Sequence, residues 1–275
     1  MILAADIGNT HIELGCIAQD GTITGPIQLS TDRTETAFEY AAEIRQILDL
    51  IGVDGKQMEG SLISSVVPNV TEKVKQAFQI LTGREARVLG QNIDSGLKVD
   101  MGGITADQIA GDLVAAAVGA VSFYPLPAII IDIGTATTVT VVNQQGCYIG
   151  GSIMPGPGTA LKGMLSDTAL LPDIDFTAPA RVISRDTVDA MKSGIMFGSA
   201  GALDGIIDRY TEELASGEKP EASDDGQNRK PVIIATGGMG KIITPFCRHS
   251  ILVDEHLLLK GLGVIWERNR SSLED

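Results

Sequence analysis

The chain has 275 residues, of which 44% are hydrophobic, and it carries a formal net charge of −14 at pH 7. This length suits one large or two medium domains with a buried core. The negative charge argues against nucleic acid and anionic membranes as partners, because basic surfaces bind both. Its three cysteines, Cys16, Cys147 and Cys247, give neither a disulfide framework nor zinc-ligand spacing.

Two features lead us to expect a soluble cytoplasmic protein. The first residues enter an apolar strand pattern without a basic region, so we expect no signal peptide. The longest apolar stretch, Leu113–Ile131, is interrupted by Ser122, Pro125 and Pro127, which argues against a membrane-spanning helix there.

In the first half of the chain, apolar periodicity predicts strands and helices in the order βββαβα. The segments are Ile2–Asp6, His11–Ala18, Thr22–Leu29, Glu35–Ile51, Ser61–Pro68 and Thr71–Leu81. A helix that connects two strands implies a mixed sheet covered by helices. A Gly-rich loop and an apolar helix over Ala106–Ala120 then lead into the second half.

The second half repeats the three-strand opening and continues with helical patterns. Its predicted strands are Ala128–Asp132, Thr137–Asn143, Tyr148–Ile153, Pro231–Ala235 and Ile251–Val253. Its predicted helices are Thr159–Leu170, Asp186–Leu214 and Glu255–Asn269. Small residues near Gly198 would allow Asp186–Leu214 to form two helices that meet there.

One motif occurs twice in these patterns. Ile2–Thr10 reads ILAADIGNT and Ile129–Thr138 reads IIIDIGTATT. In both copies an apolar strand ends in Asp-Ile-Gly, and a strand, a turn and a third strand follow. When Asp6 is set against Asp132, the copies align without a gap. The duplication predicts two related domains that face one polyanionic ligand.

The residues of this motif are of the types that bind a metal and phosphate. Carboxylates such as Asp6 and Asp132, each ending a buried strand, can bind a cation directly or through water. The residues that follow offer hydroxyls, amides and backbone N–H groups to phosphate: Gly8, Asn9, Thr10, Gly134, Thr135, Thr137 and Thr138. His11 comes next in the first copy and can line the same site. A single such motif is more often an ordinary Asx turn, but the duplication favours a functional role.

A third candidate site is Thr236-Gly237-Gly238, which follows a predicted buried strand and would let an adenosine approach the backbone. Gly-Gly is also a common turn, so this signal is weak by itself. The overlapping Gly237–Ile242 is not a Walker A motif, because Ile242 rather than Ser or Thr follows Lys241. No GxGxxG follows a predicted strand, which argues against a Rossmann site.

Asp107 and Asp112 lie near the predicted start of the linking helix. Acids in this position are most often caps or partners of the helix dipole. The functional alternative is a general base that takes a proton from a hydroxyl substrate. No Ser/His/Asp or Cys/His order stands out, so nucleophilic catalysis is not favoured.

The duplicated hairpin resembles the acetate and sugar kinase/Hsp70/actin superfamily, and the motifs in order resemble the type III pantothenate kinases (the CoaX family). They cover nearly the whole chain: DIGNT (Asp6–Thr10), LSTDRTETAFEYA (Leu29–Ala41), ISSVVP (Ile63–Pro68), TADQIAGD (Thr105–Asp112), IDIGTATT (Ile131–Thr138), YIGGSIMPG (Tyr148–Gly156), DTVDAMKSGIMFG (Asp186–Gly198), ATGG (Ala235–Gly238) and LLLKGLGVIWERN (Leu257–Asn269). The resemblance implies an α/β fold of two duplicated ribonuclease H-like (actin-like ATPase) domains, each a mixed β-sheet flanked by helices. The expected domains are 1–120 and 121–275, with the active site in the cleft between them.

The function that this resemblance implies is ATP-dependent phosphorylation of pantothenate to 4′-phosphopantothenate, the first step of coenzyme A biosynthesis. The resemblance also implies a homodimer that uses Mg²⁺ and a monovalent cation, K⁺ or NH₄⁺. It makes Asp107 the catalytic base, places Asp6 at Mg²⁺ through water, and places Asp132 at the monovalent cation. ATP contacts are expected at Gly8, Asn9, Thr10, His11, Gly134, Thr135, Thr137, Thr138, Thr236, Gly237 and Gly238. Substrate contacts are expected at Thr105, Ala106, Gln108 and Thr187.

The chain departs from the family pattern on the acceptor side. Gln108 stands where the family has the Arg that meets the pantothenate carboxylate, and loss of a charge-assisted contact typically costs ~1.5–3 kcal/mol. The Tyr-bearing stretch before that motif is shortened to Val99–Gly102. Arg33, Arg181 and Arg185 are candidate replacements for the missing Arg. Two alternatives therefore stay open: a kinase of this fold with another hydroxyl acceptor, and a non-catalytic, nucleotide-binding regulatory relative.

Overall fold

The computed structural model describes residues 1–217 and 230–273, which fall into two compact units. Unit 1 contains Met1–Phe123 and the C-terminal segment that starts at His256. Unit 2 lies within Tyr124–Glu255.

Unit 1 is built on a mixed sheet with the strand order β3-β2-β1-β4-β5. Its elements are β1 (Ile2–Ile7), β2 (His11–Ile17), β3 (Ile23–Ser30), α1 (Ala37–Leu50), β4 (Gly60–Ser65), α2 (Pro68–Thr82), β5 (Arg87–Val88), β6 (Lys98–Val99) and α3 (Gly111–Phe123). The two hairpin pairs, β1–β2 and β2–β3, are antiparallel. Strand β4 pairs in parallel with both β1 and β5.

Unit 2 repeats this sheet with the order β9-β8-β7-β10-β11. Its elements are β7 (Ala128–Ile133), β8 (Ala136–Val142), β9 (Cys147–Pro155), α4 (Pro157–Ser166), α5 (Thr187–Gly217), β10 (Val232–Thr236), α6 (Gly240–Ile243) and β11 (Leu252–Val253). The pairs β7–β8 and β8–β9 are antiparallel, whereas β10 is parallel to β7 and β11. Two sheets of one topology confirm the predicted duplicated α/β fold.

The helices of unit 1 start and stop where local chemistry dictates. Thr36 caps α1, since its backbone N–H donates to Glu39 Oε2 (2.7 Å) while the Glu39 N–H donates to the Thr36 hydroxyl (3.3 Å). Pro68 occupies the first turn of α2, where its missing N–H costs nothing. Gly83 ends α2 in the left-handed conformation, φ 72°.

Alternate residues of the central strands of unit 1 face opposite sides of the sheet. Leu3, Ala5 and Ile7 of β1 belong to the hydrophobic core that α1 and α2 cover. The other face packs against α3 and the C-terminal helix α7 (Leu257–Leu273). A Cβ on Gly60 would overlap the Trp266 ring of α7, and one on Gly111 of α3 would lie 3.1 Å from Ser64 Oγ. Asp6 therefore lies on the face that α3 and α7 cover.

Helix α7 packs within unit 1, which differs from the domain range 121–275 expected from the sequence. A Cβ on Gly261 would overlap the carbonyl oxygen of Ala115 in α3, so the two helix backbones meet there. At the other end, the Asn269 amide donates to Asp94 O (2.8 Å) and accepts from Asp94 N (3.1 Å). Arg268 Nε adds a bond to Asp94 Oδ2 at 2.8 Å. These contacts fix the last helix to unit 1, although it follows unit 2 in the chain.

Two predicted helices have different bounds in the structure. The segment expected as one helix over Ala106–Ala120 is a 3₁₀ turn at Ala106–Gln108 followed by α3 from Gly111, because Ile109 between them is extended (ψ 144°). The segment from Thr187 to Gly217 is one helix and does not divide near Gly198. Among the helices within the described residues, none combines the length and apolarity that crossing a membrane requires.

Candidate functional site

The first Asp-Gly turn connects β1 to β2 at the edge of the unit 1 sheet. Gly8 N donates to His11 O at 3.0 Å and closes the turn. A Cβ on Gly8 would lie 3.1 Å from that carbonyl oxygen, so a side chain would crowd the turn. Asn9, Thr10 and His11 are exposed. The structure therefore presents the residues expected at phosphate on one accessible turn.

The segment after β3 braces this turn. Thr31 N donates to Thr10 O (2.9 Å), and the Thr31 hydroxyl donates to Gly8 O (2.7 Å). The Arg33 guanidinium donates to Asn9 Oδ1 at 3.1 Å. Because a guanidinium can only donate, the Asn9 amide turns its oxygen to Arg33 and keeps its two N–H donors for another partner. Arg33 is thus the candidate arginine that the structure places at the turn.

Asp6, at the end of β1, faces polar groups on both neighbouring strands. Ser64 of β4 is its parallel partner in register, and the Ser64 hydroxyl donates to Asp6 Oδ1 at 2.7 Å. Glu13 of β2 is its antiparallel partner. Ser64 is a site residue that the sequence analysis did not identify. Its position at the C-terminal end of a strand parallel to β1 was the signal that could have identified it.

The second turn, between β7 and β8, is one residue shorter than the first. Asp132 pairs with Thr138, whereas Asp6 pairs with Glu13. The ungapped match of the two motifs therefore fails within the turn, and Thr138 is the structural counterpart of Glu13. Gly134 N donates to Ala136 O at 3.0 Å and closes this shorter turn.

Thr137 and Thr138 occupy opposite faces of β8, as neighbours in a strand do. Thr138 lies on the face of Asp132, since directly opposite residues share a face. Thr137 is 4% exposed, on the side of the core formed with α5. The structure thus brings Thr138 to Asp132 and separates Thr137 from it.

Thr135, which is exposed, is tied to the start of α4 through its carbonyl oxygen. That oxygen accepts from Gly156 N (3.1 Å) and from the Thr159 hydroxyl (2.5 Å). A Cβ on Gly156 would overlap the carbonyl oxygen of Gly134. The PGPG sequence therefore lets the helix start pack directly on the second turn.

The Thr236–Gly238 segment meets Asp132 within unit 2. Thr236 is the parallel partner of Asp132, and it is fully buried. Gly237 adopts φ +82°, and a Cβ on it would overlap Asp132 Oδ1. In contrast, no neighbouring heavy atom lies within 4 Å of a Cβ added to Gly238. The Thr236–Gly238 segment and the Asp132 turn thus lie against each other within unit 2.

Asp107 is exposed on the 3₁₀ turn that precedes α3. Gln108 beside it is bonded to the residue that begins the turn: Thr105 N and the Thr105 hydroxyl donate to Gln108 Oε1 at 3.0 and 3.1 Å. Ala106 is partly buried and makes the turn between them. A Cβ on Gly111, at the start of α3, would lie 3.1 Å from Ser64 Oγ, the hydroxyl that donates to Asp6, and Asp107 precedes Gly111 by four residues in the chain.

Asp112, the other acid considered as a base, is in the first turn of α3. Its Oδ1 accepts from Leu113 N at 2.8 Å. Burial raises the pKa of its carboxyl above the ordinary value.

Thr187 is exposed at the start of α5, and its helix packs on α4 within unit 2. Arg185 is exposed two residues earlier, and the Arg181 carbonyl accepts from the Ser184 hydroxyl at 3.0 Å. The structure thus places Thr187 in the unit that also holds Asp132 and the Thr236–Gly238 segment.

The side chains at both Asp positions are oxygen donors, the ligand type that Mg²⁺ and alkali cations prefer. Asp6 has the Ser64 hydroxyl bonded to it, and Asp132 has Thr138 and Thr236 as register partners. Among the described residues, no three His, Cys, Asp or Glu side chains converge on a metal position. This donor set fits an ion that keeps water or phosphate oxygens as its other ligands.

Comparison with known proteins shows that this chain is similar to one known family. The model of the type III pantothenate kinase family matches residues 2–209. A type III pantothenate kinase of Moorella thermoacetica is 33% identical over 98% of this chain and 100% of its own length. The fold is similar to that of a Campylobacter jejuni protein described as a Baf family transcriptional activator (TM-score 0.57, 16% identity, 98% of this chain and 99% of the other). It is also similar to a Sinorhizobium meliloti protein described as a 2-dehydro-3-deoxygalactonokinase (TM-score 0.59, 12% identity, 98% and 96%).

The contact between Gly237 and Asp132 gives a test of the unit 2 site. Gly237→Ala forces an L-residue to a positive φ and drives its methyl group into the carboxylate. We expect a loss of about 1–3 kcal/mol in the free energy of unfolding, measured by urea denaturation. The matched control is Gly238→Ala, which enters open space and should leave the unfolding midpoint within about 0.5 kcal/mol of the parent. Equal stability of the two variants would contradict the placement of Gly237 on Asp132.

The raised pKa of Asp112 predicts a pH-dependent effect on stability. The folded chain holds the Asp112 proton more tightly than the unfolded chain, so this contribution is present below the unfolded pKa of about 3.9 and is lost as pH rises through the folded pKa. Asp112→Asn keeps the acceptor for Leu113 N and cannot ionise. The variant should therefore gain stability relative to the parent at about pH 7 and lose that gain near pH 4 in urea unfolding. Asp49→Asn, at an exposed position of α1, is the control; a pH-independent difference for Asp112→Asn would contradict the account.

Proposed function

Because this chain belongs to the type III pantothenate kinase family, we propose that it transfers the γ-phosphoryl group of ATP to the 4′-hydroxyl of pantothenate. The chain is a kinase and uses ATP as its phosphoryl donor. The observation that carries the proposal is the family match over the chain length, joined to two Asp-ended hairpins of one topology. The product would be 4′-phosphopantothenate, which enters coenzyme A biosynthesis.

On the ATP side, we assign the phosphates to the two turns. The N–H groups and side chains of Gly8–His11 in unit 1, and of Gly134, Thr135 and Thr138 in unit 2, would bind them. The open surface at Gly238 and the close packing of Gly237 support an adenosine contact at Thr236–Gly238. The Asn9 N–H groups that face away from Arg33 are suited to a phosphate oxygen.

We assign the cations to the strand ends. Asp6 would hold Mg²⁺ through water, with Ser64 fixing the orientation of the carboxylate. Asp132, with Thr138 and Thr236 beside it, would hold K⁺ or NH₄⁺. When bound, these cations supply positive charge that offsets the charge on the transferring phosphoryl group.

On the acceptor side, Asp107 would act as the general base. The 4′-oxygen forms a bond to the γ-phosphorus, the bond from that phosphorus to the bridging oxygen of ADP breaks, and the hydroxyl proton passes to Asp107. The exposure of Asp107 on its 3₁₀ turn leaves it accessible to a substrate. Since phosphoryl transfer needs little covalent help from the protein, positioning and charge carry most of the catalysis.

The Gln108 geometry sets what the chain can offer the pantothenate carboxylate. Gln108 Oε1 accepts from Thr105, so the two N–H donors of the amide point away from Thr105. They can bind a carboxylate as a neutral pair, with less energy than a guanidinium would give. Thr105 and Ala106 of unit 1, and Thr187 of unit 2, are the other residues that we assign to substrate binding.

We also propose that the protein is a cytoplasmic homodimer, in keeping with the resemblance. The exposed glycines of α5, Gly194, Gly198 and Gly201, have nothing within 4 Å of an added Cβ and would allow a close helix contact. Helix α3 is less suited to such a contact, because Val114–Ala120 is already buried in unit 1.

The role of Asp107 is tested by its removal. Asp107→Asn should lower kcat for pantothenate-dependent ADP release by about 10²–10⁴-fold, because the base is lost while the nucleotide site is unchanged. The assay couples ADP release to a spectroscopic readout with Mg-ATP, K⁺ and pantothenate, and nucleotide binding is measured separately. Asp49→Asn, at an exposed position of α1, is the control that removes the same charge and should retain parent kcat. Parent-level turnover in Asp107→Asn would contradict the assignment of Asp107 as the base.

Charge at residue 108 is tested in both directions. Gln108→Arg should lower KM for pantothenate, by up to about 10-fold if a bidentate contact of about 1.5 kcal/mol forms. Gln108→Glu keeps an acceptor for Thr105 but adds negative charge, so it should raise that KM. Steady-state kinetics with pantothenate varied at saturating Mg-ATP measures both. If KM moves the same way in both variants, the pantothenate carboxylate does not approach residue 108.

A further inference from the structure

Two carboxylates of unit 1 face each other across the first hairpin. Asp6 of β1 and Glu13 of β2 are direct partners in register and share the face that α3 and α7 cover. Such partners have Cβ atoms about 4.5–5.5 Å apart, and like charges placed this way repel each other. The Glu13 side chain is 19% exposed, so solvent screens this repulsion less than on an open surface.

The orientation of Glu13 is fixed from the C-terminal helix. His256 Nδ1 lies 3.1 Å from Glu13 Oε1. A carboxylate only accepts, so the proton of this bond is on Nδ1. His256 in turn is fixed by its backbone, since its carbonyl oxygen accepts from Lys260 N at 2.9 Å and begins the hydrogen bonding of α7. Ser64 orients Asp6 from the other side at 2.7 Å.

We propose that Glu13 is the second carboxylate of the Mg²⁺ site, acting with Asp6 through the water shell of the ion, and that His256 is a positioning residue for Glu13. The proposal rests on the proposed function, which brings Mg-ATP to Asp6. A carboxylate has about four lone-pair positions, so Glu13 can keep its bond to His256 and still accept from a metal-bound water.

The charge and the donor set both favour this assignment. A divalent cation beside the two carboxylates is attracted to both of them. Mg²⁺ is typically held by one or two carboxylates together with waters and phosphate oxygens. A histidine that orients a carboxylate beside a metal is an outer-shell arrangement of known effect on metal affinity.

The test measures metal binding directly. Mn²⁺ replaces Mg²⁺ as the probe, and the free ion is followed by electron paramagnetic resonance in the full-length protein with a non-hydrolysable ATP analogue. Glu13→Gln should raise the Mn²⁺ dissociation constant by roughly 10-fold or more. His256→Asn, which leaves Glu13 in place without its orienting ring, should cause a smaller rise. Because His256 acts through Glu13, the double variant should bind Mn²⁺ no more weakly than Glu13→Gln.

A second measurement separates this role from a structural one. Without divalent metal, Glu13→Gln removes a negative charge near the triphosphate, so it should bind the analogue as tightly as the parent or more tightly. A merely structural defect would weaken binding with and without metal. Glu72→Gln, at an exposed position of α2, removes the same charge away from the site and should match the parent in both measurements.

Parent-like Mn²⁺ binding in Glu13→Gln would overturn the proposal, and so would equal losses with and without metal. If Glu13→Gln does not fold, Glu13→Asp and His256→Asn replace it, and parent-like Mn²⁺ binding in both would overturn the proposal. If only the proposed function is wrong, the result is different: the parent does not phosphorylate pantothenate, although its Mn²⁺ binding still depends on Glu13.

Discussion

The structure depends on a carboxylate that ends a buried strand in each unit. A charged group in such a place needs hydrogen bonds or a counter-ion, because burial without them costs several kcal/mol. Asp6 has the Ser64 hydroxyl, and Asp132 has the glycine turn at Gly237 packed against it. The parallel pairing of β1 with β4, and of β7 with β10, brings these partners to the strand ends.

The two sheets share a topology but differ in their chemistry. The cross-strand partner of Asp6 is the acid Glu13, whereas that of Asp132 is the neutral Thr138. One strand end thus carries two negative charges and the other carries one charge with hydroxyls. This asymmetry agrees with a divalent ion at the first and a monovalent ion at the second. The two sheets thus share one topology and differ in the residue type at this register position.

The central strands of both sheets could be predicted from the sequence, because strands buried on both faces appear as unbroken apolar runs. The strands predicted over Ile2–Asp6 and Ala128–Asp132 were identified in this way, together with their terminal aspartates, and each extends one residue further in the structure. The one-residue difference between the turns was not predicted, because the letters align as well without a gap and only pairing reveals the register. The roles of Ser64 and His256 depend on contacts 58 and 243 residues apart in the chain, which periodicity does not encode. The placement of α7 in unit 1 was missed for the same reason.

Our central claim is that this chain transfers a phosphoryl group from ATP to pantothenate with the help of the carboxylates at the ends of β1 and β7. Mass spectrometry and ³¹P NMR of pantothenate incubated with the protein, Mg-ATP and K⁺ test it most directly. We expect a product with one phosphate on the 4′-oxygen, formed in equal amount with ADP and absent without Mg²⁺. Unchanged ATP, or ADP formed with free phosphate and unmodified pantothenate, would contradict it.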